Sequence, residues 1–327
     1  MTYSQILGTG AYAPKRVLTN RDLEALVATS DEWIVSRTGI RERRIAAEGE
    51  DTSDMAVVAA RHALAMAGCA PEELDMIIVG TISADMPLPS CAALVQAKLG
   101  ARNAFAFDVA AACAGSLYGL SIADRFIATG GARRALVIGA ELLSRLVDWT
   151  DRNTCVLFGD AAGAMVLGPT EDSARGLLSI HLHSDGAAAD ILNIPGGGSR
   201  TPPSVDMLER KLDKVHMNGR EVYKYALRVL PLAIEEALSA NGLGVGDIDH
   251  VVSHQANLRI VEAALERLGV PMEKCWVNLD RYGNTSSASL PISLDEANRA
   301  GRLKQGDLIA MMAIGAGMAW GAGLMRW

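Results

Sequence analysis

Asp75-Met76-Ile77-Ile78-Val79-Gly80 has a counterpart later in the chain, Asp249-His250-Val251-Val252-Ser253-His254. Each is a short apolar run that reads as a buried strand. Each follows a helical stretch, at 54–67 and 221–240, closed by Gly68 and Gly242. The correspondence extends outward. A helix at 90–99 ending Leu99-Gly100 precedes a strand at 105–109, and a helix at 258–268 ending Leu268-Gly269 precedes a strand at 276–279. Gly131-Ala-Arg-Arg-Ala-Leu-Val-Ile is matched at Gly301-Arg-Leu-Lys-Gln-Gly-Asp-Leu-Ile, 170 positions on. Identity between the halves is slight, and any chain of alternating strands and helices looks somewhat self-similar. An offset of about 170 residues held over successive landmarks nevertheless predicts an internal duplication. The predicted class is α/β with a largely parallel sheet, divided into halves 1–170 and 171–327. The stretch Pro195–Asp213, with Gly196-Gly197-Gly198 and Pro202-Pro203, reads as a binding loop leading into the second half.

Half of the 327 residues are hydrophobic, which excludes intrinsic disorder, and the net charge of −7 argues against general nucleic-acid binding. The five cysteines, at 69, 91, 113, 155 and 275, are spread out with no CxxC pair, as suits a reducing compartment and no zinc. The N-terminus lacks a signal-peptide pattern. Leu308–Met325 is uncharged but holds Gly315, Gly317, Gly321 and Gly323, so it reads as two buried strands about a tight turn, not a membrane anchor. A soluble, cytoplasmic protein is the expectation.

Three positions carry candidate chemistry. Cys113 sits in Phe107-Asp-Val-Ala-Ala-Ala-Cys113-Ala-Gly-Ser, where a strand runs through small residues into a helix. Such a turn lets a side chain stand clear as a nucleophile, and the helix N-terminus favours a thiolate. The alternative is a small buried thiol. Cys91 has a similar helix-start position without the Ala-rich approach, and Cys69, Cys155 and Cys275 read as structural. His254, in Ser253-His254-Gln255-Ala256-Asn257, lies at the end of a strand, where α/β sheets build their sites. A core histidine is the alternative. Asn284, in Tyr282-Gly283-Asn284-Thr285-Ser286-Ser287, occupies a turn that the repeat register sets opposite the Cys113 turn. A thiol, an imidazole and an amide converging there is a stronger signal than any one alone.

These three segments resemble the signatures of β-ketoacyl-[acyl-carrier-protein] synthase III. So do Thr29-Ser-Asp-Glu-Trp33-Ile-Val-Ser-Arg37-Thr-Gly-Ile-Arg-Glu-Arg43 and Phe158-Gly-Asp-Ala-Ala-Gly163, and the likeness runs end to end. The resemblance implies a thiolase-like fold, two duplicated βαβαβ-type halves in a layered α/β/α/β/α sandwich, and a homodimer. It implies a decarboxylative Claisen condensation of an acyl-CoA primer with malonyl-acyl carrier protein through an acyl-Cys113 thioester. No metal and no cofactor beyond these substrates is implied. Cys113, His254 and Asn284 would be catalytic, with backbone N–H groups of Cys113 and Ala316 as oxyanion donors. Trp33, Arg37, Arg152, Gly219 and Asn257 would contact CoA, and Leu88 and Ile314 would line the acyl pocket. Arg220, Lys224 and Arg228, at i, i+4 and i+8, would dock the acidic carrier protein, extended by Arg259 and Arg267.

Leu88 stands where the family often has an aromatic residue and Ile314 where it commonly has phenylalanine. Ala316 replaces the middle glycine of a Gly-Gly-Gly turn. These departures leave the primer open and admit a starter enzyme of a secondary-metabolite (polyketide) pathway. A cysteine hydrolase and a non-catalytic carrier-binding subunit are the alternatives from other classes. The CoA-type residues speak against the first, and the retained trio against the second.

Overall fold

Apolar runs become fully buried strands where helices cover both faces of a sheet, and that is the arrangement here. The computed structural model describes residues 3–172 and 175–327. The first sheet comprises β1 (Tyr3–Tyr12), β2 (Met76–Gly80), β3 (Phe105–Val109), β4 (Ala135–Glu141) and β5 (Ala161–Thr170), in the spatial order β1-β5-β4-β2-β3. Strands β3, β2 and β4 are parallel, and β5 and β1 complete the sheet antiparallel. The second sheet comprises β6 (Gly176–Ser184), β7 (His250–Ser253), β8 (Leu308–Gly315) and β9 (Ala319–Arg326), ordered β6-β9-β8-β7. This repeats the first four positions of the first sheet, β1-β5-β4-β2, with β7 parallel to β8 and the other pairs antiparallel.

Helices α1 (Thr52–Ala67) and α2 (Cys91–Leu99) cover the outer face of the first sheet, packing Met55, Ala59, Leu64 and Val95 on Ile77, Val79 and Leu136. Helices α4 (Gly219–Ala240) and α5 (Leu258–Leu268) cover the outer face of the second, burying Val229, Ile234 and Val261 against Val251, Ala310 and Leu324. Between the sheets lie α3 (Gly115–Ala128) and α6 (Ser289–Arg299), whose Leu117, Leu120, Leu290 and Leu294 meet Ile78, Val137 and Met311. The result is the five-layered α/β/α/β/α sandwich of a thiolase-like fold. Leu308–Met325 falls in the β8–β9 hairpin, and among the described residues no helix is long and apolar enough to cross a membrane.

The two sheets are mixed and not largely parallel as expected. Four of their seven strand pairs are antiparallel, because β5 runs back between β4 and β1, and β9 between β8 and β6. Two local expectations also need correction. The strand expected at 276–279 is reduced to a single bridge, Val251 to Cys275, followed by a short helix at Leu279–Tyr282. The Gln255 side chain takes the place of the ladder. Its Nε2 donates to Trp276 O at 2.7 Å and its Oε1 accepts from the N–H groups of Asn278 and Leu279. The stretch 195–213 folds partly into a helix, Val205–Glu209, and lines neither of the cavities described below. Its flanks, Leu192, Ile194 and Val215, do.

Candidate active site

Strand β3 ends at Val109, and the chain turns through Ala112, whose φ of 44° puts a non-glycine residue in the left-handed region. Cys113 lies in the single 3-10 turn Ala112–Ala114 that leads directly into α3. The second half repeats this construction. Ser286, with φ 50°, opens the turn Ser286–Ala288 that leads into α6. The two elbows abut across the middle layer. Gly315 at the end of β8 packs against the first, and a Cβ there would lie 2.5 Å from the Cys113 backbone nitrogen.

Cys113, His254 and Asn284 are each less than a tenth exposed, and all three line one cavity of about 800 Å³. The Asn284 amide is oriented by its own turn. Its Oδ1 accepts from Ser286 N–H at 2.8 Å, which leaves Nδ2 as the unused donor. The backbone of Asn284 is pinned to the Phe158-Gly159 segment, donating to Leu157 O and accepting from Gly159 N–H. His254 is fixed by its backbone donation to Met312 O at 2.8 Å, while Nδ1 has no hydrogen-bond partner among the described residues. Burial pulls the imidazole down to about 4, with the Ser286 backbone opposing weakly, so His254 is neutral at physiological pH.

The thiol departs from expectation. Burial pushes Cys113 up to about 12, assisted by the nearby Glu141 carboxylate and opposed by the Ser286 hydroxyl. In the closed site desolvation outweighs the helix N-terminus, and Cys113 rests as a thiol. Cys91 is more deeply enclosed. Burial and the acids Asp85 and Asp108 raise its thiol further, and it lines neither cavity.

Exposed and half-exposed residues form the mouth of the large cavity. Trp33 on the helix Asp31–Thr38 has two guanidinium groups over its ring, Arg37 at 5.0 Å and Arg152 at 4.6 Å from the centroid. Gly219 lines the wall, and a Cβ there would meet only the tip of Met217, at 3.5 Å. Asn257 lines it too, but its amide is already committed, accepting from Arg259 N–H as the cap of α5 and donating to Arg37 O. Arg220 and Arg259 extend the mouth toward the surface. Lys224, Arg228 and Arg267 are exposed on the same pair of helices, though Lys224 pairs with Glu221, Arg228 lies over Tyr225 and Arg267 donates to Leu227 O.

A second, apolar cavity of about 220 Å³ also reaches Cys113 and shares Phe158 and Leu192 with the first. Ala316 lines it, with Ile82, Leu143, Phe158, Leu192 and Val215. Ile314 lines the large cavity. Leu88 lines neither; it is 84% exposed on the loop before α2. The apolar wall is not legible in the sequence because its residues come from widely separated segments that only the fold brings together. Among the described residues no group of three or more His, Cys, Asp or Glu side chains is placed to hold a metal ion.

Comparison with known proteins places the chain in one family. Residues 107–186 match the family described as 3-Oxoacyl-[acyl-carrier-protein (ACP)] synthase III, and residues 238–327 match its C-terminal part. A β-ketoacyl-[acyl-carrier-protein] synthase III of Symbiobacterium thermophilum is 56% identical over 322 residues, covering 98% of this chain and 97% of that protein. Among solved structures, the 3-oxoacyl-[acyl-carrier-protein] synthase III of Aquifex aeolicus superposes with a TM-score of 0.93 at 48% identity, over 99% of this chain and 100% of that one. The Thermus thermophilus enzyme gives 0.92 at 47% identity, over 99% of each chain.

Proposed function

Because the chain belongs to the β-ketoacyl-[acyl-carrier-protein] synthase III family and is an acyl-transferring condensing enzyme of fatty acid synthesis, we propose that Cys113, His254 and Asn284 are its catalytic residues. The observation that carries this reading is their convergence on one cavity whose mouth is built from Trp33, Arg37 and Arg152. An aromatic face flanked by two guanidinium groups suits the adenine ring and phosphates of CoA. Gly219 leaves open space beside it for the pantetheine arm, along which Asn257 also lies.

In the first half-reaction the Cys113 sulfur attacks the thioester carbonyl of a short acyl-CoA. Its proton passes to the neutral imidazole of His254 and on to the departing CoA sulfur, leaving an acyl-Cys113 thioester. Because both resting groups are neutral, deprotonation accompanies attack instead of preceding it. The backbone N–H groups of Cys113 and Ala316 hold the tetrahedral oxyanion. In the second half-reaction malonyl-acyl carrier protein enters by the same mouth and loses CO2. The enolate oxygen is held by His254 and by the free Nδ2 donor of Asn284. The enolate carbon attacks the acyl-enzyme carbonyl, expelling the Cys113 sulfur, which regains a proton from solvent as β-ketoacyl-acyl carrier protein is released. The apolar cavity beside Cys113 accommodates the acyl chain. Arg220, Lys224, Arg228, Arg259 and Arg267 form the carrier-protein docking face, which counters the net charge of −7 locally. We propose a cytoplasmic homodimer with no added cofactor, each half of the chain contributing one elbow to the site.

Intact-protein mass after mixing with acyl-CoAs from acetyl to dodecanoyl tests this. One acyl mass is gained by the wild type and none by Cys113→Ala, and the best-captured chain length names the primer. No adduct with any acyl-CoA refutes the reading.

A further inference from the structure

Glu141 ends β4 with no exposed surface, and the reaction described above does not use it. Its carboxylate accepts only from uncharged donors. Oε2 takes Ser83 Oγ at 2.6 Å, Ile82 N–H at 3.2 Å and Thr81 Oγ1 at 3.3 Å, and Oε1 takes Ser286 Oγ at 3.0 Å. The titratable groups facing it are Cys113 from the first elbow and Cys91 from α2, the latter backed by Asp85 and Asp108, with His254 beyond Ser286. None is a cation at neutral pH. A buried carboxylate without a counter-ion is costly, and burial pushes this one up to about 7 against the pull of its hydrogen bonds.

Ser286 is the residue through which this carboxylate meets the site. Its backbone is in the left-handed region, its N–H aims the Asn284 amide, and it lines the apolar cavity together with Cys113, where its hydroxyl pulls the thiol's titration down. A hydroxyl has a single proton to donate. Ionised Glu141 claims it, and a Cys113 thiolate would need the same one. We infer that Glu141 is a positioning residue of the condensing site: by holding the Ser286 hydroxyl it fixes the second elbow and governs when Cys113 can carry a negative charge. No covalent bond changes; the Ser286 O–H turns between two acceptors.

The inference rests on Cys113 being the nucleophile, but its test needs no acyl-CoA, so a missing acyl adduct and a failure here are separate results. Alkylation of Cys113 by iodoacetamide is followed by mass from pH 6 to 10 on the full chain, with Cys113→Ala to count out the other thiols. Glu141→Gln removes the charge and keeps the shape. It is expected to move the profile about one pH unit lower, about tenfold faster alkylation at a fixed pH on the rising limb. The shift should vanish when Ser286→Ala is also present. A Glu141→Gln profile that superimposes on wild type overturns the inference, as does a shift that survives Ser286→Ala, which would show the charge acting through space. The wild type offers a readout independent of the variants' folding. As Glu141 takes its charge through pH 7, log rate against pH should bend below unit slope, and a straight line of unit slope overturns the inference.

Discussion

Gly315→Ala tests whether the Cys113 elbow must sit where it does. The added Cβ would fall 2.5 Å from the Cys113 backbone nitrogen, 3.0 Å from Ala112 Cβ and 3.2 Å from Ala111 O. Ordinary contact begins at 3.4 Å, so the elbow must retreat by about 0.9 Å from its nitrogen. Two of the three opposing atoms are backbone, and no flexible side chain can absorb the clash. Gly315 ends β8 without a positive φ, so alanine costs nothing in backbone conformation and the effect is purely steric. Overpacking of this kind costs about 1–3 kcal/mol of stability, and a displacement near 1 Å at a reacting atom costs on the order of a hundredfold in rate. Single-turnover acylation by the preferred acyl-CoA, read by mass, should fall about a hundredfold while the melting temperature drops only modestly. Gly219→Ala is the matched control. Its Cβ meets only Met217 Cε at 3.5 Å, so Cys113 alkylation stays at wild-type rate while acyl-CoA capture weakens. Acylation of Gly315→Ala within about threefold of wild type would refute the steric argument.

Asn284→Asp keeps an oxygen to accept from Ser286 N–H but removes the Nδ2 donor, so acyl-Cys113 should form normally while CO2 release from malonyl-acyl carrier protein falls about a hundred- to a thousandfold. Arg152→Ala removes one guanidinium from the Trp33 face, and KM for acyl-CoA should rise at least two- to fivefold, from about 0.5–1 kcal/mol of cation–π contact, with kcat unchanged. His254 is held neutral with its titration lowered from 6.5 to about 4. The unfolded chain therefore takes up a proton that the native chain refuses. Stability falls as pH drops through that window, at up to about 1.4 kcal/mol per pH unit. Urea denaturation at pH 7, 6, 5 and 4.5 should show this limb flattened in His254→Gln; an unchanged slope would mean the buried imidazole is not its source.

Most of the framework was legible in the sequence because its signals are local. Unbroken apolar runs mark strands covered on both faces, and a Gly after an amphipathic stretch marks each helix end, as at Gly100 and Gly269, both left-handed C-caps. The fifth strand of the second half was misread because its backbone groups are satisfied by the Gln255 side chain, a pairing no periodicity reveals. The candidate trio is legible in strand-to-helix turns, and the grouping of Trp33, Arg37 and Arg152 only through a family likeness. The thiol's resting state was not, because desolvation depends on what encloses Cys113 and the helix start was the only term visible. Glu141 was passed over for a related reason. At the end of Ala135–Glu141 it looks like an acid at a solvated strand terminus, and only the folded chain shows Ser286 arriving from the other half to bury it.

The duplication explains why the site is lopsided. Both halves build the same elbow, with a non-glycine residue in the left-handed region at Ala112 and at Ser286, followed by a 3-10 turn and a central helix. In this register Cys113 is the counterpart of Ser287, and His254, closing the Asp249 run, is the counterpart of Gly80, closing the Asp75 run. The second pair is spent on structure: Ser287 Oγ donates to Gly80 O at 2.6 Å, filling the place where a nucleophile and its partner would stand. On the proposed mechanism a thioester enters one elbow, so a second thiol would serve no step. The enolate, by contrast, needs donors held rigidly opposite the thiol. With its own hydroxyl spent on Gly80, the second elbow supplies that rigidity, presenting Asn284 from one side of Ser286 while Glu141 grips the other.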